Sequence, residues 1–255
     1  MQARSGFDSN FTSYDYMAIV GQSLGLIYGY EFDGIYQYSD FYSVPGSSTL
    51  ILKEGVTSNP SLGNRLSPGA VKYKDQDGDG VITTKDRTVI GNALPKWYGG
   101  ITNTFNYKGI DFSFMLQFNY GNDIYNATRL YATQTNTQRR NQLAEVADRW
   151  SPTNASNKVP RYNGYVVNDV YSRFVEDGSF LRLKQLTLNY SFDPKLLKKA
   201  HLNTLNLSLT LNNMFTVTKY TGADPEISPN NIGVSEDKNR TPRSRYFTFG
   251  LTIGI

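Results

Sequence analysis

The chain has 255 residues, no Cys, one His and a formal net charge of +4, with its 26 Lys and Arg scattered rather than gathered into a stripe. That excludes disulfides, thiol chemistry and Cys- or His-based metal centres, and it argues against a nucleic-acid partner, which needs a clustered basic face. Aromatic residues make up 14%, Tyr foremost, and with no apolar run of about 18 residues a transmembrane helix is not expected; a mean hydropathy of −0.46 leaves a β-barrel open, because barrel strands alternate and their loops are polar.

The opening stretch, MQARSGFDSNFTSYDY, lacks the apolar segment of a secretory signal, so the expectation is either a cytoplasmic protein or the tail of a longer chain. Leu26–Gln37 (LIYGYEFDGIYQ) reads as extended. Tyr38–Pro95 is polar, without sustained periodicity, and too long for an ordinary connection, which points to a functional loop or an inserted subsite. Trp97–Asp123 then reads as two strands joined by Lys108–Gly109. In the second of them Phe112, Phe114, Leu116, Phe118 and Tyr120 share one face, while Asp111, Ser113, Gln117 and Asn119 share the other. A second long region, Asn122–Gly178, holds one helix candidate, Thr137–Trp150, stopped by Ser-Pro.

Three more alternating strands follow. In Phe180–Phe192, Leu186, Leu188, Tyr190 and Phe192 fall together, while Leu181 and Leu183 are out of phase, which predicts a bulge near Gln185. Leu205, Leu207, Leu209 and Leu211 alternate with Asn206, Ser208, Thr210 and Asn212. Phe247, Phe249, Leu251, Ile253 and Ile255 alternate with Thr248, Gly250, Thr252 and Gly254. The fold class is therefore all-β and antiparallel. Short links (Lys108–Gly109 and 193–203) alternate with long ones (38–95, 122–178 and 213–244). Membrane barrels have that asymmetry, short turns at one end and long loops at the other. A soluble β-sandwich is the other architecture compatible with the pattern.

One stretch carries metal-binding chemistry. Asp75, Asp77 and Asp79 stand at positions 1, 3 and 5 of a twelve-residue loop, with Gly80 at position 6 for the sharp turn. Val81 offers a carbonyl at position 7, Thr83 an oxygen at position 9, and Asp86 a carboxylate at position 12. Such an all-oxygen set suits Ca²⁺, a hard cation taking six to eight oxygens. Asp at position 12, where an EF-hand has Glu, resembles the dockerin-type loop. No helix pattern precedes the motif, so the expected task is to stiffen a long loop rather than to signal. An Asp/Gly-rich surface turn without metal is the simpler alternative.

For catalysis the residues offer almost nothing. His201 lies in a Lys-rich turn and reads as solvated, no G-x-S-x-G motif is present, and no two carboxylates stand out as an acid–base pair. Arg139, Arg140 and Arg149 read as a solvated helix face. Tyr36, Tyr38, Tyr42, Tyr131 and Trp150 either stack on sugar rings or anchor loop packing. An enzyme is not expected.

Several stretches, in order, resemble the C-terminal barrel part of the SusC/RagA family of TonB-dependent outer-membrane transporters. These are VGQSLGLIYGYEFDGIYQ (20–37), the DQDGDG loop running into DRTVIGNALPKWYGG (86–100), FNYKGIDFSFMLQFNYGNDIYN (105–126), FVEDGSFLRLKQLTLNYSF (174–192), LNNMFTVTKYTGADPEIS (211–228) and the final strand. The resemblance implies a single partial domain over residues 1–255, an antiparallel transmembrane β-barrel segment with long extracellular loops and one short helix. About six or seven strands of a 22-stranded barrel would be present, with the calcium-like insertion at 75–86 and with signal peptide and plug absent. It implies import of glycan oligomers or peptides through the cell outer membrane, a SusD-like lipoprotein lid, energy from the TonB complex through the missing N-terminal part, and outer-membrane lipid around the wall. Asn106, Gln117, Asn119, Asn189 and Asn206 would then line the passage. The alternative is a soluble calcium-stabilised β-sandwich that binds carbohydrate.

Overall fold

The computed structural model describes residues 2–3, 15–19, 21–134, 141–166, 169–199, 201–227 and 235–255. Its strands run β1 (Gln2–Ala3), β2 (Asp15–Ile19), β3 (Leu26–Tyr30), β4 (Phe32–Ile35), β5 (Phe41–Ser43), β6 (Leu50–Leu52), β7 (Val71–Tyr73) and β8 (Arg87–Asn92). After these come β9 (Trp97–Tyr107), β10 (Ile110–Tyr120), β11 (Asp123–Tyr125), β12 (Val175–Asp177), β13 (Phe180–Ser191), β14 (Thr204–Asn212), β15 (Thr216–Thr218) and β16 (Tyr246–Gly254). Two α-helices, α1 (Ala127–Thr133) and α2 (Pro194–Lys198), and several single turns of 3₁₀ helix complete the described residues. The contacts divide the chain into two units, residues 1–94, 123–176 and 227–239 in one and 95–122, 177–226 and 240–255 in the other.

The second unit is a sheet in the order β16-β14-β13-β10-β9, with β15 also on β13, and every pair is antiparallel. The β9–β10 hairpin closes through Lys108 (φ 45°) and Gly109 (φ 81°), two left-handed residues that make a type I′ turn whose twist matches the strands. Gly109 has a further reason to lack a side chain, since a Cβ there would lie 2.5 Å from the Ser191 carbonyl oxygen. The expected bulge is present. Met115 pairs with Gln185 but Leu116 with Leu183, so Lys184 is the extra residue. Its carbonyl accepts the Asn213 N–H (3.0 Å). By absorbing one residue it returns Leu181 and Leu183 to the face of Leu186, Leu188 and Tyr190.

With that correction the register builds two continuous faces. Directly opposed residues lie on the same side of a sheet, so one face carries rows such as Phe105–Phe112–Leu188–Leu209–Phe249 and Tyr107–Ile110–Tyr190–Leu207–Leu251. The other carries Thr104–Ser113–Thr187–Thr210–Thr248 and Asn106–Asp111–Asn189–Ser208–Gly250. Asn106, Gln117, Asn119, Asn189 and Asn206 all fall on this second face. The apolar face is not a core: Phe105 is 57% exposed, Leu251 54% and Phe247 75%. The all-β, antiparallel fold class read from the pattern is the one found.

The first unit is where the core lies, and it was not visible as one. Tyr38–Pro95, expected as a long polar loop, contains β5 to β8, and its Leu62, Val71 and Tyr73 are fully buried. They join Ile27, Tyr30, Tyr36, Tyr125, Tyr171 and Phe174 in one cluster. Tyr30 stacks on Tyr73 at 4.8 Å, and Tyr171 meets Phe174 edge-on at 5.1 Å. Strands of three residues are too short to show a period, which is why the region read as structureless.

The helix expected at Thr137–Trp150 is a correction. Residues 135–140 lie outside those described; of the rest, only Ala144–Asp148 is helical, and as 3₁₀. Trp150 explains the stop: its N–H donates to the Val159 carbonyl (2.8 Å) and its indole Nε1–H to Gln37 Oε1 (2.8 Å), pulling the backbone into an extended path. The α-helix sits upstream, at Ala127–Thr133, started by Asn126, whose side-chain oxygen accepts the Arg129 N–H at 2.8 Å. Arg139 and Arg140 lie outside the described residues, and Arg149 is exposed.

Candidate functional site

The Asp-rich loop folds around its own carboxylates. Asp75 accepts the Gly78 and Gly80 N–H groups through its two oxygens, both at 2.7 Å. Asp79 Oδ1 accepts the Val81 N–H (2.8 Å), and Asp77 Oδ1 accepts the Asp79 N–H (3.3 Å). Gly80 sits at φ 82°, a left-handed conformation that a side chain would strain. Asp86 reaches back across the loop from a 3₁₀ turn, Thr84–Asp86, accepting the Gln76 N–H (2.8 Å) and the Thr83 N–H (2.7 Å). Burial works to raise the Asp86 carboxyl, but the amide donors of Thr83, Gln76 and Asp77 outweigh it and hold it below the ordinary carboxylate range.

This brings carboxylate oxygens of Asp75, Asp77 and Asp86 within 4.8 Å of one another. Asp79 is outside that group, engaged with Val81. Ser58 braces the far side: its N–H donates to the Gly80 carbonyl (2.8 Å) and its carbonyl accepts the Ile82 N–H (2.7 Å). Since Gly80 O and Ile82 N point to Ser58, the Val81 carbonyl between them faces away from Ser58. Thr83 Oγ1 accepts the Lys85 N–H (3.2 Å) and lies 3.4 Å from Asp86 Oδ2. Among the described residues the structure thus brings together three of the four carboxylates that the spacing singled out, Asp75, Asp77 and Asp86 but not Asp79, and carboxylate oxygens are the donors a hard divalent cation takes.

Among the loop aromatics, Tyr36 and Trp150 are buried and serve packing, whereas Tyr38 and Tyr42 are exposed. His201 is exposed, at φ 56°, closing α2 with the Leu202 N–H bonded back to the Leu197 carbonyl (3.1 Å).

One cluster went unread in the sequence. Arg182, on the polar face of β13 and only 3% exposed, binds Asp224 (2.5 Å), Glu226 (2.7 Å) and Thr216 (2.9 Å). Lys184, at the bulge, and Arg243 add contacts to Glu226 at 3.0 Å and 2.9 Å. Burial alone would raise the Asp224 carboxyl; hydrogen bonds from Arg182 and from the Arg243 and Glu226 amides hold it below its usual range instead. The network pins residues 224–226 to the wall. The TGADPEIS stretch was seen only as a matching segment, because nothing in its spacing names Arg182 as a partner.

No family model matches the chain. It is 33% identical over 240 residues to TonB-dependent receptor P3 of Formosa agariphila, covering 91% of this chain and 22% of that protein. It is 32% identical over 243 residues to TonB-dependent receptor P26 of the same organism, 92% of this chain and 23% of that one. To TonB-dependent receptor SusC of Bacteroides thetaiotaomicron it is 28% identical over 183 residues, 71% of this chain and 17% of SusC. The fold is similar to that of the RagAB peptide transporter, with a TM-score of 0.66 and 20% identity over 98% of this chain and 24% of that one. The chain therefore spans about a fifth of the length of the curated relatives it matches. The ordered motifs, the two-faced antiparallel sheet and these relatives converge: the chain belongs to the SusC/RagA family of TonB-dependent receptors and corresponds to the C-terminal part of their barrel.

Proposed function

We propose that the chain forms barrel wall and extracellular loops of a TonB-dependent importer in the cell outer membrane. The observation that carries this reading is the six-stranded sheet with one apolar face left exposed and the opposite face rich in hydroxyls and amides. Lipid accepts the first face and an aqueous lumen the second. The eleven residues of β9 and of β10 span about 36 Å, which at a tilt of about 45° covers the roughly 25 Å apolar band of an outer-membrane barrel. A sandwich would have to cover the same face with a second sheet, and Phe247 and Phe249 stand open instead.

Among the described residues, β9 and β16 end the sheet's path and have no strand partner along one side. In hydrocarbon each unpaired backbone group costs several kcal/mol, so the segment works only when further strands close the barrel. Orientation follows from connection length: Lys108–Gly109 and residues 192–203 are periplasmic, and the long connections are extracellular. The partners of this reading are a SusD-like lipoprotein lid, the TonB complex acting through other parts of the receptor, and outer-membrane lipid. The cargo is an oligosaccharide or a peptide. The family resemblance read from the sequence motivates the first, and the likeness in fold to the RagAB peptide transporter the second.

The Asp75–Asp86 loop is assigned to Ca²⁺, held by Asp75, Asp77 and Asp86 with Val81, Thr83 and Asp79 completing the shell. The ion would offset the mutual repulsion of the carboxylates and stiffen the loop. Membrane fractionation of the full-length product tests the transporter reading: it should pellet with membranes and need detergent for release. A product that stays in the soluble fraction sinks it. Calorimetric titration with Ca²⁺ tests the loop, with binding expected in the parent and lost in Asp77→Ala.

A further inference from the structure

At the short-turn end of the sheet the surface changes character. The connection FDPKLLKKAHLN (192–203) has one acid, Asp193, against Lys195, Lys198, Lys199 and His201. Asp193 is already committed, capping α2 by accepting the Lys195 N–H at 2.8 Å. The three lysines are exposed, Leu197 is buried under them, and Leu196 is left 60% exposed. Across the same end, the Lys108 ammonium lies 5.2 Å from the ring centre of Tyr107, whose row on the apolar face also holds Tyr190. Tyr190 packs edge-on against Phe192 at 4.7 Å. Beneath α2 a pocket of about 630 Å³ is lined by Lys108, Tyr190, Phe192, Leu197 and Leu205.

Polarity here changes in one direction, from the mixed aromatic and aliphatic rows of the apolar face to a rim of ammonium groups. A phospholipid has the complementary layering, acyl chain, glycerol and then phosphate. We infer that this rim is a seat for an anionic phospholipid headgroup. Lys108, Lys195, Lys198 and Lys199 face the phosphate and its anionic substituent, and the Tyr190–Phe192–Leu205 wall takes the start of one acyl chain. The inference rests on the transporter reading and adds to it a preferred lipid at one end. Lysine on a flexible stem suits this task, because its aliphatic part packs on apolar surface while the ammonium reaches the headgroup. Each lysine near an anionic surface contributes roughly fivefold in affinity.

The test uses the full-length receptor in detergent, titrated separately with phosphatidylglycerol, phosphatidylcholine and lipopolysaccharide and read by native mass spectrometry. The parent should retain phosphatidylglycerol well above phosphatidylcholine. The variant Lys195→Gln/Lys198→Gln/Lys199→Gln should lose most of that preference, the same three positions changed to Arg should keep it, and Lys158→Gln, in the other unit, should leave it untouched. Equal retention of phosphatidylglycerol and phosphatidylcholine overturns the seat. So does a glutamine variant that retains lipid like the parent, or a preference for lipopolysaccharide. A product absent from the membrane fraction overturns the transporter reading, and the seat with it; a membrane-embedded product with lysine-independent retention overturns the seat alone.

Discussion

The two units of the chain solve opposite problems with the same residue types. In the loop-built unit, tyrosines go inside: Tyr36, Tyr73, Tyr125 and Tyr171 are fully buried, and short strands and single helical turns close around them. In the sheet unit, aromatic and aliphatic residues go outside, and the face they form covers nothing of its own. A hydrophobic residue therefore reports only that water is excluded, not which neighbour excludes it. In the first unit the neighbour is protein, where a removed side chain leaves a hole. In the second, on the transporter reading proposed above, it would be fluid hydrocarbon, which refills the hole at once.

That contrast can be broken by experiment. Arg182→Ala should have the largest effect, about 3–5 kcal/mol, because it strands Asp224 and Glu226 in a half-buried site. Urea unfolding of the full-length receptor measures it, and a loss under 1 kcal/mol would show the network to be ornamental. Phe174→Ala, in the loop-built core, should cost about 3–5 kcal/mol for lost burial plus cavity. Leu209→Ala, on the apolar face of the sheet, should cost distinctly less. Equal losses at the two sites would mean that the sheet face packs on protein after all. Leu209→Arg should cost about 2–4 kcal/mol in a bilayer while Thr210→Arg, one residue on and facing the other way, costs little. Vesicle-insertion yield separates them.

The smallest expected effect is one of pH. Asp86 has its folded-state pKa lowered, so its contribution is present above the ordinary carboxylate range and is lost as pH falls through the depressed value. Protection of the Gln76 and Thr83 amides, the two N–H groups it holds, measured relative to their intrinsic exchange rates, should fall on acidification before that of the buried strands β3 and β7. Simultaneous loss would show the loop to be part of the same cooperative unit.

What could be read from sequence followed the length of each element. Strands of nine to twelve residues, β9, β10, β13, β14 and β16, show alternation long enough to be counted, and even the bulge near Gln185 announced itself as a phase slip. The clustering of Asp75, Asp77 and Asp86 was legible because they lie within twelve residues that carry their own turn geometry. The core of the other unit was not, since β5, β6 and β7 have three residues each and find their partners across long stretches of chain. The same holds for Arg182: its acids stand 42 and 44 positions away, and only folding makes them neighbours.

The bulged Lys184 also divides β13 between two partners. Gln185 and later residues pair with β14, whereas Phe180 to Arg182 pair with β15, which begins four residues after β14 ends. The extra residue is thus a splice joint: it lets one strand hand over from a first neighbour to a second without exchanging its inner and outer faces. A wall built this way can be lengthened toward the loops by adding short strand pieces, and its oily side stays continuous across the seam.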